Sequence, residues 1–245
     1  MGSIKVAVIN ACTALKNADI EKIVPDLQTQ VSRDFAPVWG VDATLSFCAK
    51  GKTPPKDSYW LSLLDTSDDA GDLGYHDLTN TGMPLGKIFI KSDLADQTSW
   101  TVTASHELLE MLADPDINLS ALVSKGKHAG KLFAYEVCDA CEDDRFAYRV
   151  GHTLVSDFVL PSWFESHHPP GTKYDFRGYI KKPFQLLANG YISVYDIKSG
   201  GGWGEIDADR SPLNYRKRAR VGSRRERRRT PRERWMLSKA RALKP

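Results

Sequence analysis

His106, Glu107 and Glu110, within TSWTVTASHELLEMLADP from Thr98 to Pro115, have the types and spacing of a metal site on a helix. Residues four apart on an α-helix stand one turn above each other, so His106 and Glu110 can point at one ion. Glu107 then stands beside that ion, placed as a general base toward a water that the cation acidifies. The same five residues on a plain amphipathic helix would only face solvent. Two features favour chemistry: the string sits in an otherwise apolar helix, and further carboxylates follow it.

The element that must hold these side chains is legible from its pattern. Trp100, Ala104, Leu108, Met111 and Leu112 recur at spacings of three and four and predict an apolar stripe. Thr103, His106, Glu110 and Asp114 predict a second, polar column. Asp96 or Thr98 is placed to cap the start, and Pro115 stops the helix. Glu110, Asp114 and Asp116 crowd the C-terminal end, where the helix dipole disfavours anions by about 0.3–1 kcal/mol each. A bound cation would reverse that sign.

The string His106-Glu107-Leu108-Leu109-Glu110 resembles the HExxH zinc helix of the zincin metallopeptidases, with glutamate in place of the second histidine. The resemblance implies that His106 is a zinc ligand, Glu107 the base and Glu110 a substituted ligand. A carboxylate ligand adds negative charge and lowers the metal's Lewis acidity relative to imidazole, so metal binding is implied more directly than turnover. The wider frame, GYHDLT, a strand, SHELLEMLADP, YEVCD and VSDFVLPSWF, is similar to a group of uncharacterised bacterial and phage proteins over roughly residues 1 to 165.

A third ligand must come from downstream. Glu136, in KLFAYEVCD and 26 residues beyond Glu110, is the first choice and Asp139 the second. Asp116 falls where the longer metzincin pattern places its last ligand, but Ala113 replaces the glycine of that turn. The acid-rich CDACEDD could instead hold calcium through oxygen ligands, although its spacing is not that of an EF-hand. His152, His167 and His168 are lone histidines, a type more often solvated or structural than functional.

Around the helix, IKVAVIN reads as a buried strand, residues 18 to 35 as a helix, and residues 42 to 48 as a returning strand, a β-α-β unit. Tyr59 to Leu64 and Lys87 to Lys91 read as further strands, separated by a turn-rich segment from Asp65 to Pro84. Phe146 to Val150 and Thr153 to Leu160 read as paired strands, Trp163 and Phe164 as a core anchor, and Tyr191 to Ile197 as a strand. This order resembles the upper half of a zincin, an α/β (α+β) fold with a twisted mixed sheet above the metal helix. Such an arrangement implies an edge strand that pairs with an extended peptide. Gly86 to Ile90 or GYHDLT would fill that place.

Composition bounds the remaining choices. The chain has 245 residues and no apolar run long enough to span a membrane. Its N-terminus lacks the pattern of a secretory signal. Four cysteines make no disulfide framework at this length, so Cys12 and Cys48 read as buried hydrophobes and Cys138 and Cys141 as a lone CxxC. The net charge of +3 hides a division. Residues 216 to 245 carry 14 Lys or Arg against 2 acids, leaving 20 basic and 29 acidic residues before them. The expected organisation is a globular domain over 1–214 and a basic tail over 215–245. In the tail, Arg224, Arg225, Arg227, Arg228 and Arg229 suit phosphate backbones or an acidic partner.

The sequence therefore predicts a zinc-dependent hydrolase, a peptidase acting on a peptide or protein, with His106, Glu110 and Glu136 as ligands and Glu107 as base. The alternative is an inactive, metal-stabilised structural or nucleic-acid-associated protein, phage-encoded and carried in a virion. The expected location is cytoplasmic, or virion in that second case.

Overall fold

The structure, a computed structural model, describes residues 4–67, 73–198 and 203–208. The expected boundary near residue 214, the basic tail with its five named arginines, and the glycines at 200–202 lie outside the described residues. The fold is mixed α+β.

Its first layer is a five-stranded sheet of order β2-β1-β3-β5-β4. Strand β1 (Ile4–Asn10) pairs in parallel with β2 (Ala43–Cys48) and β3 (Tyr59–Leu64). In turn, β3 pairs in parallel with β5 (Pro84–Phe89), and β4 (Gly74–Leu78) runs antiparallel along the outer side of β5. Helix α1 (Asn17–Thr29) connects β1 to β2 and buries Ile20, Ile23, Val24 and Leu27, a face at helical spacing. It continues through a π-helical stretch, Gln30–Phe35, into the short α2 (Ala36–Trp39). Gly40 ends that run at φ 71°, a left-handed conformation that glycine adopts without a Cβ clash.

Two expectations about this layer change. The expected strand at Lys87 to Lys91 is shifted: pairing with β3 spans Leu85 to Phe89, and Ile90 begins α3 (Ile90–Asp96). Within the stretch read as turn-rich, Gly74–Leu78 form β4, so GYHDL takes the sheet edge while Gly86 lies inside the sheet.

Helix α4 (Trp100–Ala113) carries the HELLE string against β4 and β5. Its N-cap is Ser99, whose amide donates to Asp144 Oδ2 at 2.7 Å, rather than Asp96 or Thr98. Val102 and every residue from Ala104 to Ala113 are buried, so the polar column lies inside the protein together with the apolar stripe. A helix covered on all faces is a central element, not a surface one.

The second layer is an antiparallel sheet of order β11-β10-β7-β6, built from β6 (Ser120–Val123), β7 (Lys131–Ala134), β10 (Tyr191–Asp196) and β11 (Trp203–Asp207). A hairpin of β8 (Tyr148–Val150) and β9 (Thr153–Val155) packs beside α4, shorter than expected from sequence. Trp163 is fully buried against Phe133 and Phe184 and donates Nε1–H to the Gln185 carbonyl at 2.8 Å. Its role as a core anchor follows directly.

Candidate metal centre

Three elements place the donors. Helix α4 supplies His106, Glu107 and Glu110, the edge strand β4 supplies His76, and the segment after β7 supplies Glu136, Asp139 and Glu142. The last of these elements is a 3-10 turn, Asp139–Cys141, held beneath the second sheet by a 2.9 Å bond from the Leu187 amide to the Ala140 carbonyl.

The helix can reach the sheet edge because two strand positions lack side chains. A Cβ on Gly74 would lie 2.9 Å from Glu107 Cγ, 2.9 Å from Thr103 Cγ2 and 2.8 Å from the Lys87 carbonyl oxygen. One on Gly86 would lie 2.8 Å from Leu61 Cδ1 and 3.5 Å from Glu107 Cβ. These glycines let Glu107 lie flat under the sheet, as close backbone approach requires.

His106 and Glu110 converge as the i, i+4 spacing predicts: His106 Nε2 is 3.3 Å from Glu110 Oε2 and 3.2 Å from Asp139 Oδ1. Two donors on one tetrahedral zinc, each about 2.0–2.1 Å from it, lie about 3.4 Å apart. The observed separations fit that edge. Glu110 Oε1 is committed elsewhere, accepting the Cys138 amide at 3.0 Å, so Oε2 is the oxygen turned toward the histidines.

On the other side, His76 Nδ1 is 3.6 Å from Glu110 Oε2 and 3.8 Å from Glu107 Oε2, and its Nε2 is 3.7 Å from Glu136 Oε2. Two sets of donors could each hold an ion, His76 with Glu110 and Glu136, and His106 with Asp139 and Glu142. His76, His106, Glu110, Glu136 and Asp139 are all buried, with His106 7 % and Glu110 2 % exposed.

Electrostatics express the crowding. Burial pushes the Glu110 carboxyl up to about 8, helped by Asp139 and Glu136 and opposed by His106. Glu142 also rises to about 8, from burial against the pull of His106 and with Asp139 and Glu110 adding to it. Burial works against charge on His106, yet the facing Glu110 and Asp139 outweigh it and raise its pKa well above the imidazole range. Tyr191, at the start of β10, is raised well above its ordinary value by burial and by Asp139, Glu142, Glu110 and Glu107. Carboxylates at this density in a low-dielectric setting are stable only when protons or cations neutralise them.

The sequence-derived donors divide accordingly. His106 and Glu110 meet Asp139, the second choice of third ligand, whereas Glu136, the first choice, groups with His76 and Glu110 and not with His106; Asp116 is exposed in the turn after α4 and joins neither set. His76 and Glu142 were not singled out from sequence. Glu142 sits in CDACEDD and His76 in GYHDLT, a segment that signalled an edge strand but not a ligand. Cys138 and Cys141 are buried free thiols whose pKa values burial raises, and neither belongs to a donor set. His152 donates its amide to Asp26 Oδ2, His168 stacks edge-on against Tyr174, and His167 is exposed, all away from the donors.

Two surface cavities lie elsewhere, one lined by Lys22, Arg149 and His152 and one by Pro54, Trp60 and Met83. Among the described residues, no helix is long and apolar enough to cross a membrane. No protein-family model, curated protein or solved structure matches the chain.

Proposed function

We propose that this chain is a zinc-dependent hydrolase, resembling the zincins, that cleaves peptide bonds. The observation that carries the reading is His106 Nε2 lying 3.3 Å from Glu110 and 3.2 Å from Asp139, with Glu107 the next residue of the same helix. One imidazole with two carboxylates is a set that borderline zinc accepts. When bound, zinc would acidify a water and polarise the substrate carbonyl.

The chain's own residues supply the rest. Glu107 takes a proton from the water as its oxygen attacks the carbonyl carbon, and returns it to the amine nitrogen when the C–N bond breaks. His76 Nδ1, 3.8 Å from Glu107 Oε2, contributes to the electrostatic surroundings of that carboxylate. The outer edge of β4 offers main-chain groups to an extended substrate, which gives affinity without sequence preference.

A second reading draws on burial. Structural metal sites are closed whereas catalytic ones keep an open position, and every donor named here except Glu142 is buried. On this reading the ion is a stabilising staple, and any partner, nucleic acid included, is engaged elsewhere. One experiment divides the two. Chelator-free protein should contain zinc that His106→Ala removes, and Glu107→Gln should abolish cleavage of a peptide library while retaining the zinc. Cleavage undiminished in Glu107→Gln would refute the assigned base, and zinc without any cleavage in the wild type would leave the structural reading.

A further inference from the structure

We infer that the centre holds two divalent cations that share Glu110 Oε2, one on the His106 side with Asp139 and Glu142 and one on the His76 side with Glu136. This rests on the metal reading above and deepens it.

The first observation is the position of Glu110. Its Oε1 accepts the Cys138 amide, so the carboxylate cannot rotate freely, and its Oε2 stands between two imidazoles, 3.3 Å from His106 Nε2 and 3.6 Å from His76 Nδ1. A single ion on the His106 side makes no use of His76. The second observation is that His76 arrives from a different element, the sheet edge: its Nδ1 faces Glu110, its Nε2 lies 3.7 Å from Glu136 Oε2, and one donor atom from each of the three residues falls within 4.8 Å of the others. Each imidazole thus has its own carboxylates, Asp139 and Glu142 for His106 and Glu136 for His76, and Glu110, grouped with His76, also lies 3.3 Å from His106.

The third is charge. Five carboxylates (Glu107, Glu110, Glu136, Asp139 and Glu142) surround two imidazoles, which ligate metal only as neutral rings, so full ionisation of the acids leaves a net −5 in a largely buried volume. One divalent ion leaves −3; two leave −1. An uncompensated buried charge is strongly destabilising. Paired ions sharing a carboxylate and separated by about 3.5–4 Å are a general solution for hydrolytic centres, where they clamp both attacking and leaving atoms.

Full-length chain stripped of metal would be titrated with zinc, and bound metal counted per chain by elemental analysis after desalting. Two zinc ions per chain are expected. His76→Asn and Glu136→Gln should each reduce the count to one, and Asp139→Asn should reduce it to one from the other side. A wild-type count of one, unchanged by His76→Asn, overturns the shared centre and leaves the single-metal reading standing. A count of zero overturns both. Because a buried histidine variant can fail to fold, a second measurement uses the wild type alone: loaded with manganese, two ions sharing one carboxylate oxygen give an exchange-coupled spin-resonance spectrum. Only isolated-ion signals at saturation would refute the pair.

Discussion

Adding one methyl group at Gly74 tests whether helix α4 is held against the sheet edge by the absence of a side chain. An alanine Cβ there meets three atoms below 3.0 Å: the Lys87 carbonyl oxygen, Glu107 Cγ and Thr103 Cγ2. The carbonyl belongs to a paired strand, and the two carbons can yield only by turning their side chains, which for Thr103 disturbs the 2.6 Å bond to Asp93 Oδ1. Overpacking of this kind costs about 1–3 kcal/mol. For a domain near 200 residues, each kcal/mol lowers Tm by about 2–4 °C, giving a fall of about 2–12 °C for Gly74→Ala. Thr103→Ser removes the Cγ2 methyl while keeping a hydroxyl for the 2.6 Å bond to Asp93 Oδ1, and in the Gly74→Ala background it should recover part of the loss. Calorimetry of zinc-loaded protein reads both. A Tm for Gly74→Ala within about 1 °C of wild type, or no recovery in the double variant, would refute close approach as the device that seats Glu107.

Other consequences can be checked in the same preparations. His106→Ala should lower both bound zinc and Tm, and added chelator should lower the Tm of the variant by less than that of the wild type. Burial, together with the neighbouring Asp175, pushes the Asp157 carboxyl up to about 9. The folded chain therefore keeps a proton that the unfolded chain releases above about pH 4, and stability falls as pH rises from about 4 to about 9, by at most about 1.4 kcal/mol per pH unit. Asp157→Asn keeps an acceptor for the Phe158 and Arg177 amides and should flatten that slope in denaturant titrations across this window. Cys138 and Cys141 are buried and held protonated, so native protein should react with a thiol reagent at these positions only upon unfolding, as peptide mapping after labelling would show.

Much of the first layer could be read from residue pattern because its signals are local. IKVAVIN and YWLSLL are short apolar runs, and α1 shows its face through Ile20, Ile23, Val24 and Leu27. Likewise His106 and Glu110 are neighbours by helix geometry alone. What stayed hidden depends on contacts between distant segments. His76 reaches Glu107 and Glu110 only because β4 folds back antiparallel on β5, and although GYHDLT offers itself as an edge strand, nothing in it shows which way His76 faces. Gly74 within a turn-rich run looks like punctuation, whereas its structural use is to admit Glu107. The choice among Glu136, Asp139 and Asp116 was equally nonlocal, since it turns on where a 3-10 turn is pinned by Leu187, nearly fifty residues later. Periodicity found the stripe of α4 but not its depth, because the sheet, the β8–β9 hairpin and the segment after β7 enclose it together.

The enclosure of α4 also bears on how an ion would enter. With Glu110 clasped by the Cys138 amide, Asp139 covered and His106 only 7 % exposed, the approach to these groups is narrow as they stand. Loading is then coupled to the opening or formation of the turn that carries Asp139, and exchange runs at the pace of that local unfolding rather than at the pace of diffusion. A chain synthesised in zinc-poor conditions would complete its fold around protons and accept the metal slowly afterwards.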